Sequence, residues 1–450
     1  MAQQRNNAIS IAKGFAIIFV VMAHADMPGM LNRAIYLFHM PLFFITAGYF
    51  FKHETVENPW PFIVKRFKGL YVPFVKWSIF FLLIHNLLFK IGILNEVYGN
   101  WTGGTTHPYS IHQFWQRLTN IVFSMGGYDE FLAGAFWFFR GLLVASIAFV
   151  VLYYMLNNVK RLRGRTVAIP LVIFFIALGF ALLKAGEGVK IVTLVQGGYR
   201  DTMGVLFFSI GVLYRKYEQR IGHSLWLAAA GAAVVLAGSW LECRGMSLSV
   251  RIRDVLSLPV TGVAGWLMTY NVSYHLSHLK GRIIQFLEYC GEHTLYIFIW
   301  HVSAYKVVSL LKIWWYGLDP RQIGCHMVIH DYAQTDCFWI LYTIAGVGIP
   351  LSGYWLYSRI RQQRRFRIFF VKKVGNLFGF SISPPLYLQK IIRETTMNAT
   401  IHNFNNAEMR TILAEGRIVP ALSLITTFHS QTIIIKITST SQRNALSAFR

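Results

Sequence analysis

Apolar runs of about 20 residues recur along most of this 450-residue chain, and no other feature constrains its fold as strongly. A run of this length crosses the roughly 30 Å hydrocarbon core of a bilayer as an α-helix. Only 14% of the residues are charged, against about 25% in soluble domains. We therefore predict an all-α, polytopic membrane helical bundle of about ten transmembrane helices. The predicted spans are residues 8–25, 35–51, 70–91, 135–156, 166–183, 200–214, 224–241, 255–271, 289–311 and 338–357.

Basic residues are concentrated in every second connection between these runs. Lys and Arg cluster in residues 52–68, 160–165, 215–220, 280–282 and 359–367. An excess of Lys and Arg marks the cytoplasmic loops of membrane proteins, so we predict that both termini are cytoplasmic. We therefore attribute the formal net charge of +24 to the cytoplasmic loops, and nucleic acid is not expected as a partner.

The composition changes near residue 371. Residues 375–450 contain few long apolar runs and are rich in Ser, Thr and Asn, and Pro384 and Pro385 break any helix near the start of this stretch. We predict a membrane-embedded domain over residues 1–371 and a cytoplasmic tail of uncertain order over residues 372–450. The four cysteines show no CxxC or Cys/His metal spacing, so no metal site is expected.

The first two apolar runs contain four ionisable residues, Lys13, His24, Asp26 and His39. A charge at membrane depth costs roughly 2.5–3.5 kcal/mol on insertion scales, so such a group usually faces a cavity or a partner. Lys13 and His24 are about three helical turns, or roughly 16 Å, apart and lie on one helix face. This pair suits a long ligand with an anionic head and a reactive tail. The alternative is that Lys13 extends to the lipid headgroups.

Three later segments contain further candidate site residues. Arg66 and Lys68 lie in RFKGLYVP, at the predicted inner end of the third span, where a guanidinium group suits phosphate recognition. Arg140, in FWFFRGLL, is a charged residue one turn into an apolar helix. It either has a partner there or extends toward the outer headgroups. His301 lies deep in the ninth span. It therefore faces a cavity or hydrogen-bonds to a neighbouring helix.

These motifs together resemble the integral-membrane acyltransferase-3 family, in particular its sugar O-acetyltransferase members, which include fucose 4-O-acetylase-like proteins. The resemblance covers about residues 8–360 and rests on KGFAIIFVVMAH, FHMPLFFITAGYFF, RFKGLYVP, FWFF and LYIFIWH, in that order. The chain departs from the family pattern at Lys13, where arginine is usual, at Ser10, where an acidic residue is frequent, and at Ala47, where serine is usual.

The resemblance implies an acyl-CoA-dependent O-acyltransferase, with acetyl-CoA as the expected donor on the cytoplasmic side. It further implies that the acceptor is a hydroxyl of a cell-envelope glycan or its lipid-linked precursor. The expected location is the bacterial cytoplasmic (inner) membrane. Donor binding is then expected at Lys13, Arg66 and Lys68.

The key histidine of the family corresponds to His24. We expect His24 to act either as a general base on the acceptor hydroxyl or as a nucleophile that forms an acyl-imidazole. His39 and Asp26 are expected to orient it or to take part in proton transfer. Arg140 is expected to stabilise the oxyanion, and His301 completes the predicted catalytic set.

A transporter or flippase for a lipid-linked glycan is the alternative function. Such a protein would also place basic residues and histidines in a cavity. However, the two halves of the chain contain no paired helices interrupted by Gly or Pro, which are typical of many transporters. Consumption of labelled acetyl-CoA by the purified protein separates the two functions.

Overall fold

The computed structural model describes residues 7–101, 104–189, 198–246, 251–330 and 336–377, except for the side chains of residues 362–377. Every regular element in these ranges is helical, which confirms the predicted all-α class. The α-helices are α1 (Asn7–Ala23), α2 (Gly29–Tyr36), α3 (His39–Tyr49), α4 (Trp60–Arg66), α5 (Val72–Lys90), α6 (Glu96–Gly99), α7 (Ile111–Ser124), α8 (Glu130–Ala133), α9 (Trp137–Asn157), α10 (Ala168–Glu187), α11 (Tyr199–Ile221), α12 (Leu225–Trp240), α13 (Ile252–Ser277), α14 (Arg282–Glu292), α15 (Thr294–Tyr316) and α16 (Phe338–Leu377).

Within the described ranges, six helical stretches are long and apolar enough to cross a membrane. They are Trp60–Lys90, Glu130–Asn157, Ala168–Glu187, Ile252–Ser277, Thr294–Tyr316 and Phe338–Arg361. The predicted run 35–51 differs because α2 ends at Tyr36 and α3 has only 11 residues, about 16 Å of helix. The structure thus supports a membrane protein, whereas the count of about ten spans and the position of the termini stay predictions.

Helix α1 lies inside the bundle and packs against α14, α13, α3 and α15. Its contact with α14 is a close approach of two backbones. A Cβ atom added to Gly14 would lie 2.1 Å from the Leu287 carbonyl oxygen, and one added to Gly291 would lie 1.8 Å from that of Ser10. Small residues allow helices in membranes to approach in this way. The α1–α14 contact therefore fixes the position of α1 and of His24, which directly follows it.

The short helix α3 is held by an equally close contact with α11. A Cβ atom on Gly48 would lie 2.0 Å from the Phe208 carbonyl oxygen, and a Cβ atom on Gly211 would lie 2.0 Å from that of Ile45. Because α3 also packs against α1, it is fixed between these two helices. This places His39, the first residue of α3, beside the end of α1.

The chain divides into two compact units, residues 1–363 and 364–450. The first contains α1 to α15 and most of α16. The described part of the second is helical as far as Leu377. Most of the predicted tail, from residue 378 onward, lies outside the described residues, and the domain boundary at residue 371 stays a prediction.

Candidate active site

A cavity of about 240 Å³ lies at one end of the bundle, where α1 ends and α3 begins. Its polar lining comprises His24, Tyr36, His39, Tyr128, Glu130, Arg200 and His326. Tyr128 precedes the short helix α8 and Gly134 follows it, Met246 follows α12, and His326 and Met327 lie in the connection between α15 and α16. Much of the cavity wall is thus formed by connections between helices. Which side of a membrane this end faces stays a prediction.

Three histidines from distant parts of the chain come together here. The rings of His24 and His301 stack with 5.6 Å between centroids and 27° between planes. The Tyr36 ring lies edge-on to His24 at 6.3 Å and to His39 at 5.1 Å. His301 is only 1% exposed, so it lies behind His24. The result is an imidazole at the cavity wall that aromatic rings support on two sides.

The hydrogen bonds of the two neighbouring histidines determine their tautomers. His39 Nδ1 lies 2.8 Å from the Ile35 carbonyl oxygen, and His301 Nδ1 lies 2.9 Å from that of Phe298. A carbonyl oxygen can only accept, so each ring carries a proton on Nδ1, and in the neutral ring the lone pair lies on Nε2. The His301 Nε2 atom is buried and has no hydrogen-bond partner in the described ranges.

His24 itself makes no side-chain hydrogen bond with any residue that the structure describes. Its backbone is nevertheless well held. The Tyr305 hydroxyl donates to the Val21 carbonyl oxygen at 2.6 Å, and the Tyr36 hydroxyl donates to that of Ala23 at 3.3 Å. Both ring nitrogens of His24 are therefore available to a ligand, while the last turn of α1 is fixed.

The acyltransferase-3 family model, described as an acyltransferase domain, matches residues 6–359. The chain belongs to the acyltransferase-3 family. This confirms the resemblance seen in its motifs and makes the protein an acyltransferase. No curated protein and no solved structure matches the chain.

Three predicted catalytic residues of this acyltransferase, Asp26, Arg140 and His301, are not in the cavity lining; His301 lies behind His24. The Asp26 carboxylate lies 3.4 Å from His330 Nδ1, and both side chains are about two-fifths exposed. Arg140 is buried, and its Nε lies 3.6 Å from Asp201 Oδ1. The structure thus gives Arg140 the partner that an ion at this depth needs. The predicted roles of Asp26 in proton transfer and of Arg140 at the oxyanion stay predictions.

The three residues expected to bind the donor lie away from the cavity lining. Lys13 is partly buried in α1, roughly 16 Å along the helix axis from His24. The Arg66 guanidinium lies 4.9 Å from the Phe62 ring centroid. Lys68 is exposed in the π-helical turn Phe67–Tyr71 that joins α4 to α5. Their role in donor binding stays a prediction.

Lining residues that were not predicted from the sequence include the polar residues Tyr36, Tyr128, Glu130, Arg200 and His326 and the aromatic residue Trp137. Arg200 could have been selected from the sequence because, like Arg140, it is a charged residue near the start of a predicted span. His326 could not, since its position depends on how a long connection folds back. Two hydrogen bonds from Lys306 Nζ, to the carbonyl oxygens of Ile323 at 2.8 Å and Cys325 at 2.7 Å, hold that connection against α15.

Burial shifts the pKa values of two loop residues in the cavity wall, His326 and Tyr128. Burial lowers the pKa of His326 below its ordinary value of 6.5. Burial also raises the pKa of Tyr128 to about 12. Asp129, between Tyr128 and Glu130, accepts hydrogen bonds from the backbone N–H groups of Phe131 and Leu132 at 2.9 and 3.2 Å. It also contacts His85, so this wall is anchored to α5.

Proposed function

We propose that this acyltransferase transfers an acyl group, expected to be acetyl, from acyl-CoA to a hydroxyl of a cell-envelope glycan or of its lipid-linked precursor. The observation that carries the proposal is the position of His24 and the availability of its ring nitrogens. Its imidazole lines a cavity, is supported by the rings of His301 and Tyr36, and has both nitrogens available. A general base needs a basic nitrogen within hydrogen-bond reach of the proton that it removes.

In this mechanism His24 takes the proton of the acceptor hydroxyl as the hydroxyl oxygen attacks the thioester carbonyl carbon. The tetrahedral intermediate collapses, the carbon–sulfur bond breaks, and the thiolate of CoA leaves and takes up the proton from His24. General base catalysis of this kind contributes about 10²–10⁴-fold. In the alternative, a ring nitrogen of His24 attacks the carbonyl carbon, the carbon–sulfur bond breaks, and CoA leaves as its thiolate. The hydroxyl oxygen then attacks the acyl-imidazole, the carbon–nitrogen bond breaks to free His24, and the hydroxyl proton passes to the thiolate.

His39 and His301 have supporting roles in this proposal. In each residue, the Nδ1–H group donates a hydrogen bond to a backbone carbonyl oxygen. Each therefore has a basic Nε2 atom and can remain neutral beside a His24 that becomes positively charged. Two neutral neighbours oppose that charge less than two imidazolium groups would. His39, which lines the cavity, can accept a hydrogen bond from the acceptor sugar.

Donor binding is proposed at the end of the bundle opposite the cavity. The phosphates of CoA would meet Lys13, Arg66 and Lys68, and the pantetheine arm would follow α1 toward His24. The axial separation of roughly 16 Å between Lys13 and His24 supports an extended donor. We place the protein in the bacterial cytoplasmic membrane with both termini in the cytoplasm, as the basic connections predict.

The decisive experiment uses purified full-length protein in lipid nanodiscs with labelled acetyl-CoA and a glycan acceptor. We expect label to move to the glycan, and His24→Ala to reduce this transfer by about 10²–10⁴-fold. His278→Ala is the matched control, because His278 is an exposed histidine that hydrogen-bonds only to its own helix. Full transfer by His24→Ala would contradict the mechanism. Movement of a lipid-linked glycan without consumption of acetyl-CoA would favour the transporter.

A further inference from the structure

Arg200 is a cation held rigidly in the cavity wall. It lies in the first turn of α11, and its guanidinium carbon lies 4.2 Å from the Trp137 ring centroid. Its Nε donates to the Met246 carbonyl oxygen at 2.8 Å. The two terminal nitrogens donate to no residue that the structure describes. The Trp137 ring and the Met246 carbonyl oxygen therefore fix the side chain, while its two terminal nitrogens remain available to an anion.

Arg200 forms no ion pair in the described part of the chain, although Asp201 acts on its charge from beyond 4.0 Å. Its neighbour Asp201 faces Arg140, 3.6 Å away. No carboxylate in the described ranges lies within 4.0 Å of Arg200. Glu130 also lines the cavity but is exposed. A partly desolvated guanidinium without an ion-pair partner is costly unless a ligand supplies the opposite charge.

Arg200 shares a cavity with the histidines of the proposed mechanism. Arg200, His24 and His39 line the same cavity of about 240 Å³. That volume lies below the 300–1,000 Å³ typical of drug-sized ligand sites. One ligand of about the size of a single sugar residue would therefore contact both the guanidinium and the histidines.

We propose that Arg200 is a specificity-determining residue that binds a carboxylate of the substrate, so that the cavity selects an anionic substrate. The planar guanidinium offers paired N–H donors that match the two oxygens of a carboxylate. Two sources have this chemistry: an acidic sugar, such as a uronic acid, in the acceptor, or a dicarboxylic acyl group, such as succinyl, in the donor. The inference rests on the proposed function, since it names the class of its substrate.

A binding experiment tests Arg200 without any turnover. Thermal unfolding of the full-length protein is followed in nanodiscs with D-glucuronate, with succinate, and with D-glucose as the uncharged match for glucuronate. We expect glucuronate or succinate to stabilise the wild type more than glucose does. In Arg200→Gln the apparent affinity for that anion should fall about tenfold or more. Glucuronate dependence identifies the acceptor as the source, and succinate dependence identifies the acyl group.

Arg117→Gln is the matched control. Arg117 makes the same two kinds of contact as Arg200: its guanidinium carbon lies 4.1 Å from the Tyr109 ring centroid, and it donates a hydrogen bond to the Gly127 carbonyl oxygen at 3.2 Å. It does not line the cavity. Anion binding should therefore remain as in the wild type, and Arg200→Lys should restore part of it. Equal stabilisation of wild type and Arg200→Gln by both anions, or none in the wild type, would overturn the proposal.

Turnover then separates this inference from the proposed function. Transfer is compared between acceptors ending in glucuronate and in glucose, and between succinyl-CoA and acetyl-CoA. Arg200→Gln should lose the preference for the charged partner, through KM more than kcat. An equal fall in kcat for charged and uncharged substrates would make Arg200 part of the reaction and overturn its role in recognition. Anion binding that depends on Arg200, without any acyl transfer, would refute the proposed function alone.

Discussion

The imidazole of His301 stacks on that of His24, with 5.6 Å between the ring centroids, although one lies in α15 and the other directly follows α1. The contact joins the first and the penultimate helices of the described chain. A second bond from α15 reinforces it, because the Tyr305 hydroxyl donates to Val21 in the last turn of α1. The reactive histidine is thus positioned by a helix remote from it in sequence.

We expect His301→Ala to reduce acyl transfer by up to about 10²-fold, because small displacements of a catalytic group have effects of this size. His301→Phe keeps a ring against His24 but removes the Nε2 lone pair. If His301 acts only through stacking, the Phe variant should recover most of kcat. Steady-state kinetics with labelled donor measures both variants. Wild-type kcat in His301→Ala would contradict a positioning role.

Asp201→Asn should destabilise the protein by about 3–5 kcal/mol, because it leaves the guanidinium of Arg140 buried without its partner. Arg140 and Asp201 are 3% and 2% exposed, and no other carboxylate in the described ranges pairs with Arg140. Thermal unfolding in detergent measures the loss. Asp319→Asn is the control, since Asp319 pairs with Arg321 at the surface and should change stability little. Similar losses in the two variants would argue against this account.

Gly291→Ala should disrupt the α1–α14 contact, because the new Cβ would lie 1.8 Å from the Ser10 carbonyl oxygen. We expect a loss of about 1–3 kcal/mol or more and reduced transfer, since α1 leads to His24. Gly179→Ala is the matched control within α10, where a Cβ meets nothing within 4 Å. It should be neutral or slightly stabilising. Unfolding and transfer are measured on both, and an unaffected Gly291→Ala would contradict the close packing.

We expect His326 to lower the free energy of unfolding of the protein as the pH falls. Burial lowers its pKa in the folded protein below the ordinary 6.5, so on acidification the unfolded chain binds the proton first. The contribution of neutral His326 is complete above about pH 6.5 and is lost as the pH falls below that value. Unfolding midpoints measured from about pH 8 to 5 should therefore fall more steeply for wild type than for His326→Asn. Parallel profiles would contradict this expectation.

The fold class and the family could be predicted because both depend on features local in sequence. Apolar runs of helical length predict helices, and ordered motifs such as KGFAIIFVVMAH and LYIFIWH identify the family, which the match over residues 6–359 confirms. His24 and His39 could be paired in advance because only a short connection separates their helices. The count of about ten spans is still a prediction, since an apolar run does not reveal where a helix breaks, as α2 and α3 do near Leu37.

The remainder of the candidate site was decided by tertiary structure. Arg140 and Arg200 both lie in the first turn of a helix, and the sequence does not show which of them pairs with Asp201. Packing pairs Arg140 with Asp201 in the interior and leaves Arg200 on the cavity wall above Trp137. Likewise, His326 joins the site only because Lys306 holds its connection against α15. Helical periodicity specifies which residues share a face, whereas which faces meet depends on close contacts between distant backbones, such as those at Gly14 and Gly291.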